Sequence, residues 1–147
     1  MSFFKAMDIS SSGLAAQRLR MNILSANLAN AQSTRGDDGG PYKRRDVVFS
    51  AVPTGNMFED YLHETSGTST ELRKVQVVDI HKDTNAPRKV YDPGHPDADA
   101  AGYVEMPNIQ VMTEMVNMIA ATRAFEANST VLNDSKQMAM KALEIGR

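Results

Sequence analysis

The sequence has no cysteine, no tryptophan and few aromatic residues of any kind. The absence of cysteine excludes disulfides, thiolate metal sites and a cysteine nucleophile. Only 6% of the 147 residues are aromatic, although 41% are hydrophobic. The chain can therefore order itself, but it has few of the rings that fill most globular cores. Its length indicates about one domain.

Strong charge and long apolar runs are also missing. The formal net charge of -2 argues against a general nucleic-acid binder or a polyanionic tail. No stretch approaches the roughly 20 apolar residues that span a bilayer. The chain begins MSFFKAMDISSSGLAAQRLRMN, without the apolar core and small-residue cleavage site of a secretory signal. We expect a cytoplasmic protein, or one exported by a route that needs no cleaved signal.

Helix-breaking residues are concentrated in the middle of the chain. All six prolines lie between Pro41 and Pro107, and seven of the nine glycines lie between Gly36 and Gly102. This pattern predicts helical segments at 1–35 and 107–147 around a β-rich and loop segment at 36–106. Short β-prone runs, enough for a small antiparallel sheet at best, occur at 46–52, 73–81 and 89–91. Turns are predicted at 36–41, 53–56 and 66–70.

Apolar side chains recur every seven residues in the N-terminal segment. Met7, Leu14, Met21 and Leu28 hold this spacing, and Leu24 follows Met21 by three positions. The spacing predicts a helix over about 3–34, with an apolar stripe of the kind found in coiled coils.

The end of this predicted helix is unusually polar. Asn27 and Asn30 lie in the run SANLANAQST, and asparagine is costly on a buried face unless it is hydrogen-bonded. Two interpretations stay open. The helix end frays into solvent, or its polar strip hydrogen-bonds within the chain or to a neighbouring subunit.

The C-terminal segment has neither glycine nor proline from 109 to 145. It predicts one helix about 50 Å long, which a domain of this size cannot cover by itself. We expect this helix to pack antiparallel on the N-terminal one and to need further cover from other copies or proteins. Apolar and small residues in steps of three and four form its C-terminal stripe: Val116, Ala120, Ala124, Ala127, Val131, Ser135, Met138, Ala142 and Ile145.

Residues that carry chemistry form no recognisable site. His63, His81 and His95 make no ligand pair, and the sequence has neither a phosphate-binding loop nor a nucleophile elbow. We therefore predict no catalytic, cofactor or metal site. The basic run at 43–45 suits a phosphate or an acidic neighbour, although solvated lysines and arginines are commoner. Asp97 and Asp99 indicate a turn.

Several stretches resemble the bacterial flagellar basal-body rod proteins. The run SGLAAQRLRMNILSANLANAQST at 12–34 is similar to the N-terminal signature of flagellar axial proteins. Three more resemble the proximal-rod members: GGPYKRRDVVF at 39–49, PGHPDADAAGYVEMPN at 93–108 and MVNMIAATRAFEANSTVLNDSKQMAMKAL at 115–143. Residues 50–88 carry no such likeness.

The resemblance implies a mainly α protein whose terminal helices pair as an antiparallel coiled coil around a small β insertion. Such proteins are not enzymes and bind no cofactor, nucleic acid or small-molecule substrate. They leave the cytoplasm unfolded through the flagellar type III export gate, without a cleaved signal. They polymerise into the periplasmic rod, the drive shaft that transmits motor torque to the hook.

The implied partners are copies of the chain itself, other rod subunits of the FlgB, FlgF and FlgG types, and the MS-ring and export-gate adaptor region at the base. The protein is not expected to span the membrane itself. The residues expected at the coiled-coil and subunit interface are Met7, Leu14, Met21, Leu24, Asn27, Leu28, Asn30, Val116, Ala120, Ala124, Ala127, Val131, Met138 and Ala142. Two alternatives are another flagellar axial protein and a cytoplasmic helical adaptor or export chaperone. Nothing in the sequence supports a small hydrolase.

Overall fold

Along the sequence, a small antiparallel β region lies between two long helices. A computed structural model describes residues 3–36, 39–54 and 72–145. This architecture confirms the predicted combination of terminal helices and a small β insertion, whereas the domain limits at 35/36 and 106/107 stay a prediction. The elements are α1 (Phe3–Ala29), β1 (Arg45–Pro53), β2 (Arg73–Lys82), β3 (Arg88–Tyr91), β4 (Tyr103–Met106) and α2 (Val111–Ile145).

The two helices lie antiparallel. In the pairs of residues that contact each other across the helices, the residue number decreases along α1 as it increases along α2. These pairs are Asn27 with Glu114, Met21 with Thr122, and Gly13 with Asn128. At this alignment the last turns of α2 extend beyond the described start of α1. Leu143 and Ile145 in those turns are 76% and 87% exposed.

Helix α1 ends at Ala29, earlier than the predicted end near residue 34. The chain tightens into successive turns there: Ala31 N–H donates to Leu28 O at 3.3 Å, and Ser33 N–H donates to Asn30 O at 3.1 Å. Such three-residue spacing is typical of a helix end. The polar side chains also supply their own partners, because the Asn30 amide donates to Ala26 O and accepts from the Ser33 hydroxyl.

The β region forms two separate two-stranded antiparallel sheets, β1–β2 and β3–β4. The three predicted strands are present. β4 was missed because its four residues, YVEM, are too few for a period-two pattern to stand out. The β1–β2 register runs from Arg45 opposite Lys82 to Pro53 opposite Arg73, with one shift between Val48 and Phe49. The predicted turn at 66–70, and the second half of the one at 53–56, lie outside the described residues.

Helix α1 packs on both α2 and the β1–β2 hairpin. The Val75 N–H donates to the Ser12 hydroxyl at 3.1 Å, which ties β2 to the first half of α1. In the described part of the chain the buried apolar residues are few, and half of them are alanines: Ala16, Leu24, Ala31, Val104, Ile109 and Ala121. Small side chains let backbones approach closely, but they contribute little buried area. Within the described ranges, no helix is both long and apolar enough to cross a membrane.

Candidate subunit interface and the polar junction beside it

Most of the C-terminal stripe lies open to solvent. Val116, Val131 and Met138 are 63%, 50% and 64% exposed, although each is a large apolar side chain. Ala120, Ala127 and Ala142 are exposed as well, Ala124 is half-buried, and Ser135 is the buried exception. The exposed members of the stripe therefore present apolar surface along much of α2.

The face of α2 that α1 covers is a different one. Glu114 and Ala121 are 1% exposed and Ser135 is 8% exposed. At 3.6 residues per turn, this inner face is rotated from the centre of the stripe by roughly a quarter of a turn, and Ser135 lies at the boundary of the two. The large apolar side chains of the stripe thus lie mostly outside this covered face, and the expected packing of the stripe against α1 stays a prediction. Periodicity could not distinguish the two faces, because both carry small or apolar side chains at helical spacing.

On α1 the expected interface residues lie on or beside the covered side. Leu24 and Asn27 are buried, and Asn30 is half-buried at the end of the helix. The four residues with seven-residue spacing are half-buried: Met7, Leu14, Met21 and Leu28. The structure brings Met21 next to Thr122, which lies outside the C-terminal stripe.

A buried polar junction joins the end of α1 to the start of α2. Asn27 is fully buried, and its amide nitrogen donates to Arg45 O at 2.7 Å and to Glu114 Oε2 at 3.1 Å. Its oxygen accepts from Arg45 N–H at 3.0 Å and from the Tyr42 hydroxyl at 3.1 Å. Arg44 Nε donates to Glu114 Oε1 at 2.7 Å. These five residues form the polar junction: Asn27, Tyr42, Arg44, Arg45 and Glu114.

The junction bears on the two interpretations left open for the polar helix end. Asn27 does not fray into solvent, because it is buried and its amide hydrogen-bonds within the chain, whereas a contact of Asn27 or Asn30 with a neighbouring subunit stays a prediction. The basic run at 43–45 likewise meets an acidic neighbour through Arg44. Burial alone would lower the pKa of Arg44, but hydrogen bonds and charge from Glu114 and Asp46 raise it above its usual value. The guanidinium therefore stays charged beside the buried carboxylate.

A second polar contact lies at the chain just after α1. Asp97 accepts from the Thr34 hydroxyl at 2.8 Å and from Arg35 Nε at 2.9 Å, and it also pairs with Arg35 Nη2. The hydrogen bond from Thr34, followed by that from Arg35, lowers the pKa of Asp97. Asp99 forms the predicted turn, because its Oδ1 accepts from the N–H groups of Ala101 and Tyr103. Sequence reasoning missed the tertiary role of Asp97, since its partners are 62 and 63 residues away.

These contacts hold segments together rather than present reactive groups. In the described ranges, no three histidine, aspartate or glutamate side chains are placed to hold a metal ion. His63 lies outside those ranges. What the structure does offer is the exposed stripe on a helix held in place by the polar junction.

Family models match both ends of the chain. The model described as flagella basal body rod protein matches residues 7–36, and the one described as flagellar basal body rod FlgEFG protein C-terminal matches residues 100–145. The first covers most of α1 and the turns after it, and the second covers β4 and α2. The helical pair thus has the sequence of a flagellar rod protein.

Full-length relatives narrow the family. The chain is 43% identical to the flagellar basal-body rod protein FlgC of Borreliella burgdorferi, over 99% of this chain and 98% of the relative. It is 41% identical to the FlgC protein of Bacillus subtilis and 43% identical to that of Salmonella typhimurium, with each chain covered completely. The chain belongs to the FlgC family of flagellar basal-body rod proteins. It is a structural rod subunit and not an enzyme.

Proposed function

We propose that this rod subunit assembles through the C-terminal stripe of α2, which neighbouring chains cover in the polymer. The exposure of Val116, Val131 and Met138 carries the proposal. Soluble monomers rarely expose contiguous apolar patches of this extent without an interaction partner. The family membership supports a polymer as the setting in which that partner is found.

The energetics favour a repeated lateral contact. Burying one valine or methionine side chain contributes about 1.5–3 kcal/mol, and the stripe repeats such side chains along a 35-residue helix. The stripe on one chain and the covering surface on the next need not be the same patch. A contact of that kind that does not close on itself builds an open helical filament. The terminal helices would then form the coiled-coil part of the rod.

The finer features of the proposal follow the rod family. The chain would leave the cytoplasm through the type III gate without a cleaved signal and join the proximal rod in the periplasm. There it would contact copies of itself, FlgB, FlgF and FlgG types of subunit, and the MS-ring and adaptor region at the base. The rod would carry motor torque to the hook. The names of the relatives support the rod setting of this proposal.

The test introduces a charge into the stripe without disturbing the monomer. Val131→Glu and Met138→Glu alter exposed positions, so we expect the free energy of unfolding of the purified chain to change by about 0.5 kcal/mol or less. In a rod interface the same charge would be buried without a partner, which is strongly unfavourable. We expect each variant to fail to restore swimming in a strain that lacks the chain, and electron microscopy to show basal bodies with their membrane ring but without a rod.

Gln137→Glu is the matched control. It adds the same charge on the same turn of α2 at an exposed position outside the stripe, and should restore swimming. Normal motility in both Val131→Glu and Met138→Glu would exclude the stripe as an interface. If deleting the chain left rods and hooks intact, the rod proposal itself would fail.

A further inference from the structure

Helix α1 and the inner face of α2 both repeat with the same period. On α1, Met7, Leu14, Met21 and Leu28 are seven residues apart. On α2, the half-buried Met118, Phe125 and Leu132 have the same spacing. If one helix slid past the other by seven residues, large apolar side chains of α1 would therefore again lie opposite large apolar side chains of α2. The apolar contacts alone discriminate poorly between these alignments.

The small and polar positions of the inner face also tolerate a slide. Glu114, Ala121, Asn128 and Ser135 lie seven residues apart, and only Glu114 carries a charge. Gly13 faces Asn128 in the observed alignment, and a seven-residue slide would bring it to Ala121 or Ser135, which are smaller. Packing volume at this point thus does not exclude the displaced alignments.

The polar junction does discriminate. A slide of seven residues moves Asn27 and Glu114 apart by about 10 Å along the axis, far beyond hydrogen-bond reach. Glu114 is 1% exposed, so its carboxylate would be left in a buried position without the hydrogen bond from Asn27. The other members cannot follow, because Asn27 is also fastened to Arg45 N–H and O at the start of β1. Leaving a buried charge without its partners is strongly unfavourable.

We propose that the polar junction sets the register between α1 and α2, and that Asn27 and Glu114 are its positioning residues. This inference rests on the proposed function, because an interface on α2 needs α2 to be held at one position against α1. In this proposal, the junction favours one alignment of the two helices over the displaced ones and adds little to the free energy of unfolding. A buried ionic cluster suits that role, since replacing one with apolar residues often leaves stability unchanged.

The absence of cysteine makes a direct measurement possible. The pair Met21→Cys with Thr122→Cys reports the observed alignment, because Met21 Sδ and Thr122 Oγ1 are 3.6 Å apart. The pairs Met21→Cys with Ser129→Cys and Met21→Cys with Met115→Cys report slides of seven residues in either direction. In the parent chain we expect oxidation to cross-link the first pair and to leave the other two at background.

The key variant removes both charges of the Arg44–Glu114 pair together, as Glu114→Leu with Arg44→Leu. We expect helix content and thermal midpoint to stay near the parent values, while cross-linking of a displaced pair rises by about tenfold or more, as expected when a buried partner is lost. Glu114→Gln should act in the same direction, because Asn27 and Arg44 donate to different oxygens of Glu114, and an amide NH₂ in place of one of them would face a donor. Glu126→Gln, at an exposed position of α2, is the control and should leave the cross-links unchanged.

Two results would overturn the inference. One is exclusive cross-linking of the Met21 and Thr122 positions in the double-leucine variant. The other is loss of helix content in both that variant and Glu114→Gln, which would make the junction a requirement for folding. All of these measurements use the purified chain. Their outcome is independent of the rod interface, which is tested by motility and microscopy.

Discussion

Asn27 uses every hydrogen-bonding position of its side-chain amide, with two bonds donated and two accepted. No other side chain of similar size offers two donors and two acceptors in this geometry. An aspartate would bring a second negative charge towards Glu114, and a leucine would remove the oxygen to which the Tyr42 hydroxyl and the Arg45 N–H donate. At the residue scale, this position is defined by its hydrogen bonds and not by its volume.

The contact of Asp97 with Thr34 and Arg35 makes part of the stability depend on pH. The pKa of Asp97 in the folded chain lies below its ordinary value of 3.8. Its contribution is therefore present above about pH 4 and is lost as the pH falls through the lowered value. We expect Asp97→Asn to lower the urea midpoint at neutral pH, and the difference from the parent chain to shrink below about pH 4.

Asp99→Asn is the comparison for that measurement, because it keeps the Oδ1 acceptor that Ala101 and Tyr103 use. Its effect should be smaller at neutral pH. A difference between Asp97→Asn and the parent chain that stayed constant from neutral to strongly acidic pH would contradict the assigned role of the carboxylate.

Gly102 occupies a backbone conformation that favours glycine. Its φ is 79°, and a Cβ there would lie 3.0 Å from Tyr91 Cε2 and 3.3 Å from Pro93 Cβ. We expect Gly102→Ala to reduce the free energy of unfolding by about 1–2 kcal/mol, measured by urea denaturation. Gly40→Ala is the control, since a Cβ at Gly40 meets nothing within 4 Å. Equal effects of the two substitutions would exclude strain at Gly102.

At the scale of the element, α2 has two faces that carry small or apolar side chains. The inner face contacts α1 through Ala121 and the polar junction, and the C-terminal stripe points elsewhere. A helix of a globular protein usually has one apolar face and one polar face. The second apolar face is the feature that the rod proposal explains.

Gly13 lies where α1 closely approaches Asn128 of α2. A Cβ at Gly13 would lie 3.0 Å from Asn128 Nδ2, the end of a flexible side chain. We expect Gly13→Ala to change stability by less than about 1 kcal/mol, because its gain in helix propensity offsets the displacement of Asn128. Gly13→Leu should destabilise the chain by about 1–3 kcal/mol, because it overfills the contact between the helices.

Thermal unfolding of these variants, with Ala15→Leu as an exposed control on the same helix, gives the comparison. If Gly13→Leu matched Ala15→Leu, the close approach of α1 and α2 at this point would not matter for stability.

At the scale of the whole molecule, the helices and most strands followed from the sequence because their signals are local. Breakers concentrated in the middle and an unbroken run from 109 to 145 predict two terminal helices. The choice of the inner face of α2 is not local. That face meets α1 through contacts such as the hydrogen bond between Asn27 and Glu114, 87 positions apart, which no periodicity contains. Asp97 was unpredictable for the same reason.

The exposed stripe also has a thermal consequence. Removing apolar surface from water is driven mainly by entropy near room temperature, carries a negative heat-capacity change and weakens on cooling. A polymer that covers Val116, Val131 and Met138 would therefore hold its subunits more tightly when warm than when cold. The few apolar residues buried in the described part of each chain provide less of that temperature dependence. Most of the response to cold would therefore lie between subunits, so that cooling would loosen the filament before it unfolded any one chain.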